Sequence, residues 1–367
     1  MGRDFRNQTS IELSLLRLDQ SDVQFPGYVF DIDNLVTDGY EIGYVDDAPG
    51  FGDRVVTEIW YNRTRFEGNA QDPAKRAQFP LLNRITYVGF TDVDSMSTGY
   101  RRARTWGYDD DQGRLILGHD LRFIKQELNE IANATTLGLP LPVTNRNSPI
   151  PRSFSVNPGL FAEYSELFLE DWTFRTGARV DYVQSDITEA NPASQQVGLD
   201  FFPATYEEIV GTDDYQTDRV MWSLYAALTR RHSRCLVSAA SLGYAQRPPN
   251  LTALHAAQPF RLLPQNGLHN VTGDPHLKRE QMIQADLSID FDGEYVRAGA
   301  RGFYGWALDY ITFENTNIVR GPPNGDVQQV SLRYVNTDLA TLAGFESFAE
   351  LFPNRRLTPF VNLRYVD

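Results

Sequence analysis

From Trp172 the chain alternates with a period of two. Trp172, Phe174, Thr176, Ala178, Val180 and Tyr182 share one parity, and Thr173, Arg175, Gly177, Arg179 and Asp181 share the other. Successive side chains of a strand point to opposite faces, so this segment reads as a strand with one apolar and one wet side. The pattern recurs where Ala285, Leu287, Ile289 and Phe291 alternate with Gln284, Asp286, Ser288 and Asp290. Beyond Asp292-Gly293, Val296, Ala298 and Ala300 alternate with Arg297, Gly299 and Arg301. Near the end, Leu357, Pro359, Val361, Leu363 and Tyr365 alternate with Thr358, Phe360, Asn362 and Arg364.

Extended along the chain, the pattern predicts about thirteen strands, near 9–18, 38–46, 54–66, 93–107, 114–129, 158–168, 172–185, 219–230, 235–247, 281–291, 295–312, 332–351 and 356–366. Several exceed the five or six residues usual in globular proteins and reach the nine to eleven that a tilted strand needs to cross a bilayer. Short turns are expected around Glu170-Asp171, His232-Ser233, Asp292-Gly293 and Pro353-Asn354. Long polar loops fill 67–92, 130–157, 186–218, 248–280 and 313–331. Short turns at one end and long loops at the other is the outer-membrane barrel arrangement. In 122–132, Ile124, Leu128 and Ile131 fall at helical spacing, but the alternation of the neighbouring strands requires a strand there. Neither a repeat of 20–50 residues nor an interdomain linker is evident.

Composition narrows the class. The 18 Tyr, 22 Phe and 5 Trp make 12% of the 367 residues, which argues against disorder, while hydrophobic residues total only 41%. No stretch approaches the roughly 18 consecutive apolar residues of a membrane-spanning helix, so a membrane reading must use strands. The net charge of −14 disfavours a nucleic-acid partner. Cys235, the single cysteine, excludes an internal disulfide. The opening MGRDFRNQTS lacks the apolar core of a signal peptide.

Backbone polar groups in lipid must be paired within the protein, so a membrane sheet closes into a barrel. The wet face, with Arg175, Arg179, Arg297, Arg301, Asp286, Asp290 and Glu346, then lines a polar lumen. Phe168 and Trp172 flank a short turn and Tyr182 lies near the opposite strand end, where interfacial aromatics sit.

Several segments resemble the barrel of TonB-dependent outer-membrane receptors. The hairpin Gly159-Leu-Phe-Ala-Glu-Tyr-Ser165, followed by Trp172 to Tyr182, carries a G-x-R-x-D second strand at Gly177, Arg179 and Asp181. Leu242 to Leu254, with Gly243, Tyr244, Arg247 and Pro248, resembles the passage of a late strand into a long outer loop. Gly273-Asp-Pro-His-Leu-Lys-Arg-Glu280 is similar to the family segment G-N-P-x-L-x-P-E, departing at Asp274 and Arg279. Its Gly273, Pro275, Leu277 and Glu280 would restart the barrel. Tyr334-Val-Asn336 with Gly344-Phe-Glu346 matches a later strand. The resemblance is clearest over 110–367. It implies an all-β, antiparallel, up-and-down transmembrane β-barrel that is partial: residues 1–367 as one barrel domain, incomplete at both ends, lacking the plug domain and the remainder of about 22 strands. It further implies a location in the cell outer membrane, contact with outer-membrane lipid and with the TonB complex through a plug not in this chain, and uptake of a scarce solute such as a metal chelate. No enzymatic activity or cofactor is implied.

His255, His269 and His276 fall in one expected outer loop. With Arg247, Arg179 and Arg301 they are the candidate substrate contacts, although the histidines lack the spacing of a helical ligand pair. Asp109-Asp-Asp111 lacks the alternating ligands and closing Glu of a calcium loop and reads as a turn, so no metal site is assigned. Glu163 and Glu166 lie on opposite strand faces, and Asp286 and Asp290 stand about 13 Å apart, which excludes a glycosidase pair within one strand. No nucleophile elbow, Walker loop or zincin helix is present. The luminal arginines are expected to pair with carboxylates rather than to form a ladder for an anion. Two other readings are a passive porin or surface adhesin barrel and a soluble β-rich hydrolase, whose apolar faces would be buried between stacked sheets.

Overall fold

Each alternating segment forms a strand, and strands consecutive in sequence pair edge to edge. The computed structural model describes residues 2–5, 8–25, 30–70, 72–77, 86–107, 113–135, 143–188, 193–194, 203–204, 206–260, 268–320, 327–353 and 357–367. The strands are β1 (Gly2–Phe5), β2 (Thr9–Gln24), β3 (Asp31–Asp46), β4 (Arg54–Asn69), β5 (Thr86–Trp106), β6 (Arg114–Thr135), β7 (Val143–Leu169), β8 (Trp172–Ile187), β9 (Ala193–Ser194), β10 (Pro203–Ala204), β11 (Thr217–Arg231), β12 (Leu236–Arg247), β13 (Ala257–Phe260), β14 (Leu268–Thr272), β15 (Glu280–Asp292), β16 (Val296–Arg320), β17 (Val327–Leu351) and β18 (Phe360–Val366). Sixteen of them form one sheet in the order β1-β2-β3-β4-β5-β6-β7-β8-β11-β12-β15-β16-β17, continued by β14-β13 and by β18, which both pair with β17. β9 and β10 form a separate small ribbon. All pairings are antiparallel except β14 with β17. Short helical turns occur at Pro73–Arg76, Tyr206–Val210 and Leu251–His255.

The register keeps every apolar parity on one face. Val180 pairs with Trp222, Ala178 with Leu224, Leu242 with Ala285, Leu287 with Gly302 and Gly302 with Phe345. Leu160, Val180, Val220, Leu242, Leu287, Phe345 and Leu363 are all exposed on this face. From Trp172 to Tyr182 the apolar run climbs about 33 Å along the strand, or about 25 Å normal to the membrane at a tilt near 40°, the height of a barrel's lipid-facing band. Paired rings stand near its limits: Phe168 with Trp172 and Phe51 with Trp106 at the short-turn end, Tyr40 with Tyr61 and Trp222 with Tyr244 toward the long-loop end. Among the described residues no second sheet covers this face, so a sandwich with apolar faces stacked on each other is not the architecture. Among the described residues no helix is long and apolar enough to cross a membrane.

All thirteen segments read from the pattern are strands of the sheet, which β1, β13 and β14 bring to sixteen, and several are longer than read. β7 begins at Val143 rather than near 158, β5 at Thr86 rather than near 93, and β16 runs on to Arg320, so much of the expected loops 67–92, 130–157 and 313–331 is strand. Above the lipid neither face must be apolar, and period two fades while the backbone ladder continues. The segment 122–132 is strand, within β6. The expected short turns at 170–171, 232–235 and 293–295 are present. Asp109-Asp-Asp111 lies outside the described residues.

Leu287 occupies the middle of the apolar band and Ser288 the opposite face. Leu287→Arg should therefore lower stability in lipid vesicles by about 2–4 kcal/mol, and Ser288→Arg by less than about 1 kcal/mol. Urea titration of vesicle-inserted protein measures both.

Candidate functional site

The described residues are most densely buried against the wet face, where the connection between β12 and β15 folds inward. Asn250 caps the helical turn Leu251–His255 by accepting from the Ala253 N–H at 2.7 Å. Leu251, Ala253, Leu254, His255, Ala256 and Ala257 are buried. The Thr252 hydroxyl accepts from the Gln126 amide at 3.1 Å. Gln126 is on the wet face of β6, several strands from β12, so the loop lies within the concave side of a curled sheet. Gly273 runs alongside the turn: its N–H donates to Ala256 O at 2.5 Å, and a Cβ there would fall 2.7 Å from the Leu254 carbonyl. Arg219, on the wet face of β11, donates to Pro275 O and Leu277 O at 3.2 and 2.8 Å.

This geometry gives the Gly273–Glu280 segment a physical meaning. Gly273, Pro275, Leu277 and Glu280 are buried, whereas His276 and Lys278 are exposed. Glu280 accepts from Arg247 Nε and, at 2.8 Å, from the Ile311 N–H, joining the end of β12 and the start of β15 to the middle of β16. The Asn336 side chain accepts from Lys278 N–H at 2.8 Å and donates to Lys278 O and Asp309 O at 3.2 and 2.7 Å. Pro248 is half-buried where β12 leaves the sheet. The Tyr244 hydroxyl donates to Gln281 at 2.8 Å.

The two loop histidines whose side chains are described, His255 and His276, lie in different surroundings. His255 is fully buried rather than a solvated or substrate-facing loop residue, because the run Leu251 to Ala257 packs as a small core against the wall. Burial, aided by the nearby Arg219 charge, pushes its imidazole down to about 4. His276 is exposed. His269 belongs to β14, and its side chain lies outside the described residues. Among the described residues no cluster of three or more His, Cys, Asp or Glu could hold a metal.

The predicted luminal residues share one face, and most of their charges are paired. Arg179 donates to both oxygens of Asp120, at 2.6 and 2.7 Å, and to Asp181. Arg301 stands 3.7 Å from Asp290, and Arg364 bonds Glu346 at 3.1 Å. Sequence reasoning missed Asp120; its parity with Gly118 and Arg122 was the available signal. It also missed a recurring pair in which an aromatic ring lies over a glycine directly opposite on the neighbouring strand. The pairs are Trp60 over Gly99, Phe161 over Gly118, Tyr225 over Gly177, Phe348 over Gly299 and Phe303 over Gly344. A Cβ at Gly344 would meet the Phe303 ring at 2.7 Å. The G-x-R-x-D and G-x-E patterns thus join a seat for a ring to an ion-pairing group two residues on, on the same face.

An up-and-down antiparallel sheet with an apolar outside, a charged inside and a loop folded into the concavity defines a transmembrane β-barrel wall. The family model for the TonB dependent receptor-like β-barrel matches residues 3–366, and the chain belongs to that family. The family is one of receptors, not enzymes. Among solved structures, the copper transporter OprC is similar with a TM-score of 0.75 at 16% identity, over 100% of this chain and 52% of that one. The FrpB iron transporter from Neisseria meningitidis is similar with a TM-score of 0.59 at 12% identity, over 100% of this chain and 51% of that one. The chain thus spans about half the length of these structures. No curated protein matches by sequence.

Because the folded pKa of His255 lies below the ordinary 6.5, the unfolded loop binds the extra proton. The packing of Leu251–Ala257 is at full strength above pH 6.5 and weakens as pH falls toward 4. Hydrogen exchange of these amides should accelerate across that window beyond the intrinsic rate, and His255→Leu should flatten the dependence. Gly177→Val should cost about 1–3 kcal/mol by displacing the Tyr225 ring. Gly243→Ala, whose Cβ would sit 3.8 Å from Tyr225, should stay within about 0.5 kcal/mol. Urea midpoints in vesicles discriminate the two.

Proposed function

We propose that this chain forms part of the wall of an outer-membrane receptor that takes up a scarce solute such as a metal chelate. The observation that carries this reading is the division of the sheet into an uncovered apolar band outside and a charged wall inside, with the β12–β15 loop folded against that wall. The outer face meets outer-membrane lipid. The concave face, with Arg179, Arg247 and Arg301 and with His269 and His276 in the β12–β15 connection, borders the path of the solute. His255 sits behind that surface and holds the loop in place. Energy comes from the TonB complex acting on a plug domain outside these residues.

The copper and iron transported by the two similar structures make a metal or its chelate the first solute to test. Cells whose receptor carries this chain should accumulate radiolabelled ferric or cupric chelate, with the receptor in the outer-membrane fraction. Collapse of the proton gradient or deletion of TonB should abolish accumulation. A passive porin would continue to fill under both treatments, and that result would refute energised uptake.

A further inference from the structure

Positive charge stands on the outer face at one place inside the apolar band. Arg101, Arg102 and Arg104 lie close together on β5, and strand parity divides them. Arg101 faces the lumen, directly opposite Glu58 on β4 and Asp120 on β6. Arg102 and Arg104 face outward. Arg102 stands between Thr57 and His119, on the row that continues through the exposed Leu160 and Val180, and Arg104 stands between Val55 and Leu117. Over Val55–Tyr61, Met96–Trp106 and Leu115–Phe123 the outward positions hold no carboxylate. Asp46, two strands from Arg104 on the same row, has its oxygens bonded to the Tyr44 hydroxyl at 3.4 Å and the Ala48 N–H at 3.0 Å. Among the described residues no ion pair holds Arg102 or Arg104. Arg102 and His119 are exposed. Arg104 leans toward the short-turn end: its stem passes Gly52, where a Cβ would fall 3.1 Å from its Cγ, and its guanidinium lies 5.0 Å from the centroid of Phe51, the ring that stands edge-on to Trp106.

We infer that Arg102 and Arg104 form a binding site for the phosphate of an anionic phospholipid in the periplasmic leaflet. The inference rests on the outer face meeting lipid and is independent of the solute and its energy source. Arg102 lies four residues up β5 from Trp106, about 13 Å along the strand and about 10 Å along the membrane normal at a tilt near 40°. A guanidinium at that depth stays charged, and a charge facing hydrocarbon is destabilising unless its head reaches the interface. The way to the interface runs past Arg104 to the level of Phe51 and Trp106. Short turns mark the periplasmic end of a barrel, so the phosphates met there belong to the inner leaflet. Two guanidiniums two residues apart on one face stand about 7 Å apart and present planar forks that match a phosphodiester. Stacking on Phe51 restricts Arg104 while leaving its N–H edge to the ligand. A headgroup with its own ammonium would cancel the phosphate charge, whereas an anionic headgroup supplies the counter-charge that the protein face lacks. The exposed Ile59 and Leu117 beside the pair offer apolar surface to the acyl chains.

Native mass spectrometry tests the site on the whole receptor carrying this chain, purified in detergent and titrated with phosphatidylglycerol or with zwitterionic phosphatidylcholine. Phosphatidylglycerol should be retained in preference. Arg102→Leu, which places an ordinary lipid-facing residue there, and Arg104→Gln should each lower that preference about fivefold. Arg101→Gln removes the same charge from the opposite face of the strand and should leave the preference unchanged. Unaltered heat-shifted gel mobility shows that each variant is folded. Equal retention of the two lipids, an equal loss in Arg101→Gln, or a preference that survives the double substitution would overturn the proposal. So would stronger retention of lipid A, which belongs to the other leaflet, or a receptor dimer that Arg102→Leu dissociates, which would assign this face to a second copy. The measurement needs neither solute nor TonB, so its failure is distinct from failure of the uptake experiment.

Discussion

Lipid on the convex side is the constraint on which the rest of the structure depends. A hydrocarbon medium accepts apolar side chains freely but offers no partner to a backbone N–H or C=O. The long strands therefore pair along their lengths, as in the unbroken register from Val296 with Leu351 to Leu308 with Leu339. Exposed Leu287, Phe345 and Leu363 are ordinary in that medium and would be an aggregation hazard in water.

With the oily residues outside, burial has to occur where polar groups are dense. Burial is densest in the upper lumen, where the Leu251–Ala257 segment packs against β7 and Ala257 joins Val210, Ile187 and Tyr215. Such a core is held by hydrogen bonds as much as by apolar contact. Arg219 supports two carbonyls, Glu280 joins three strands, and Asn336 ties Lys278 to Asp309. The Gly273–Glu280 segment is conspicuous in the sequence because nearly every residue type in it answers to one of these contacts.

Legibility followed the same division. Within the lipid band the two sides of a strand face different media, so Trp172 to Tyr182 and Gln284 to Arg301 could be read residue by residue. Above it both sides are wet, and the upper parts of β5, β7 and β16 left no alternation to read, although their ladders continue. His255 was hidden for another reason. A five-residue helical turn is too short to display a period, and only the Asn250 cap before Leu-Thr-Ala-Leu marked it. Ion-pair partners such as Asp120 with Arg179 are 59 residues apart, and which strands adjoin decides them.

The rings laid over glycines have a consequence for the dimensions of the interior. An aromatic side chain standing upright on the inner surface would project several ångströms toward the axis. Reclining in the gap left by a missing Cβ, Trp60, Phe161, Tyr225, Phe303 and Phe348 add bulk to the wall while giving up little clearance. Glycine on one strand thereby sets the free calibre of the conduit through the posture of a residue on the next, and the bore can stay wide although its lining is rich in the largest side chains available.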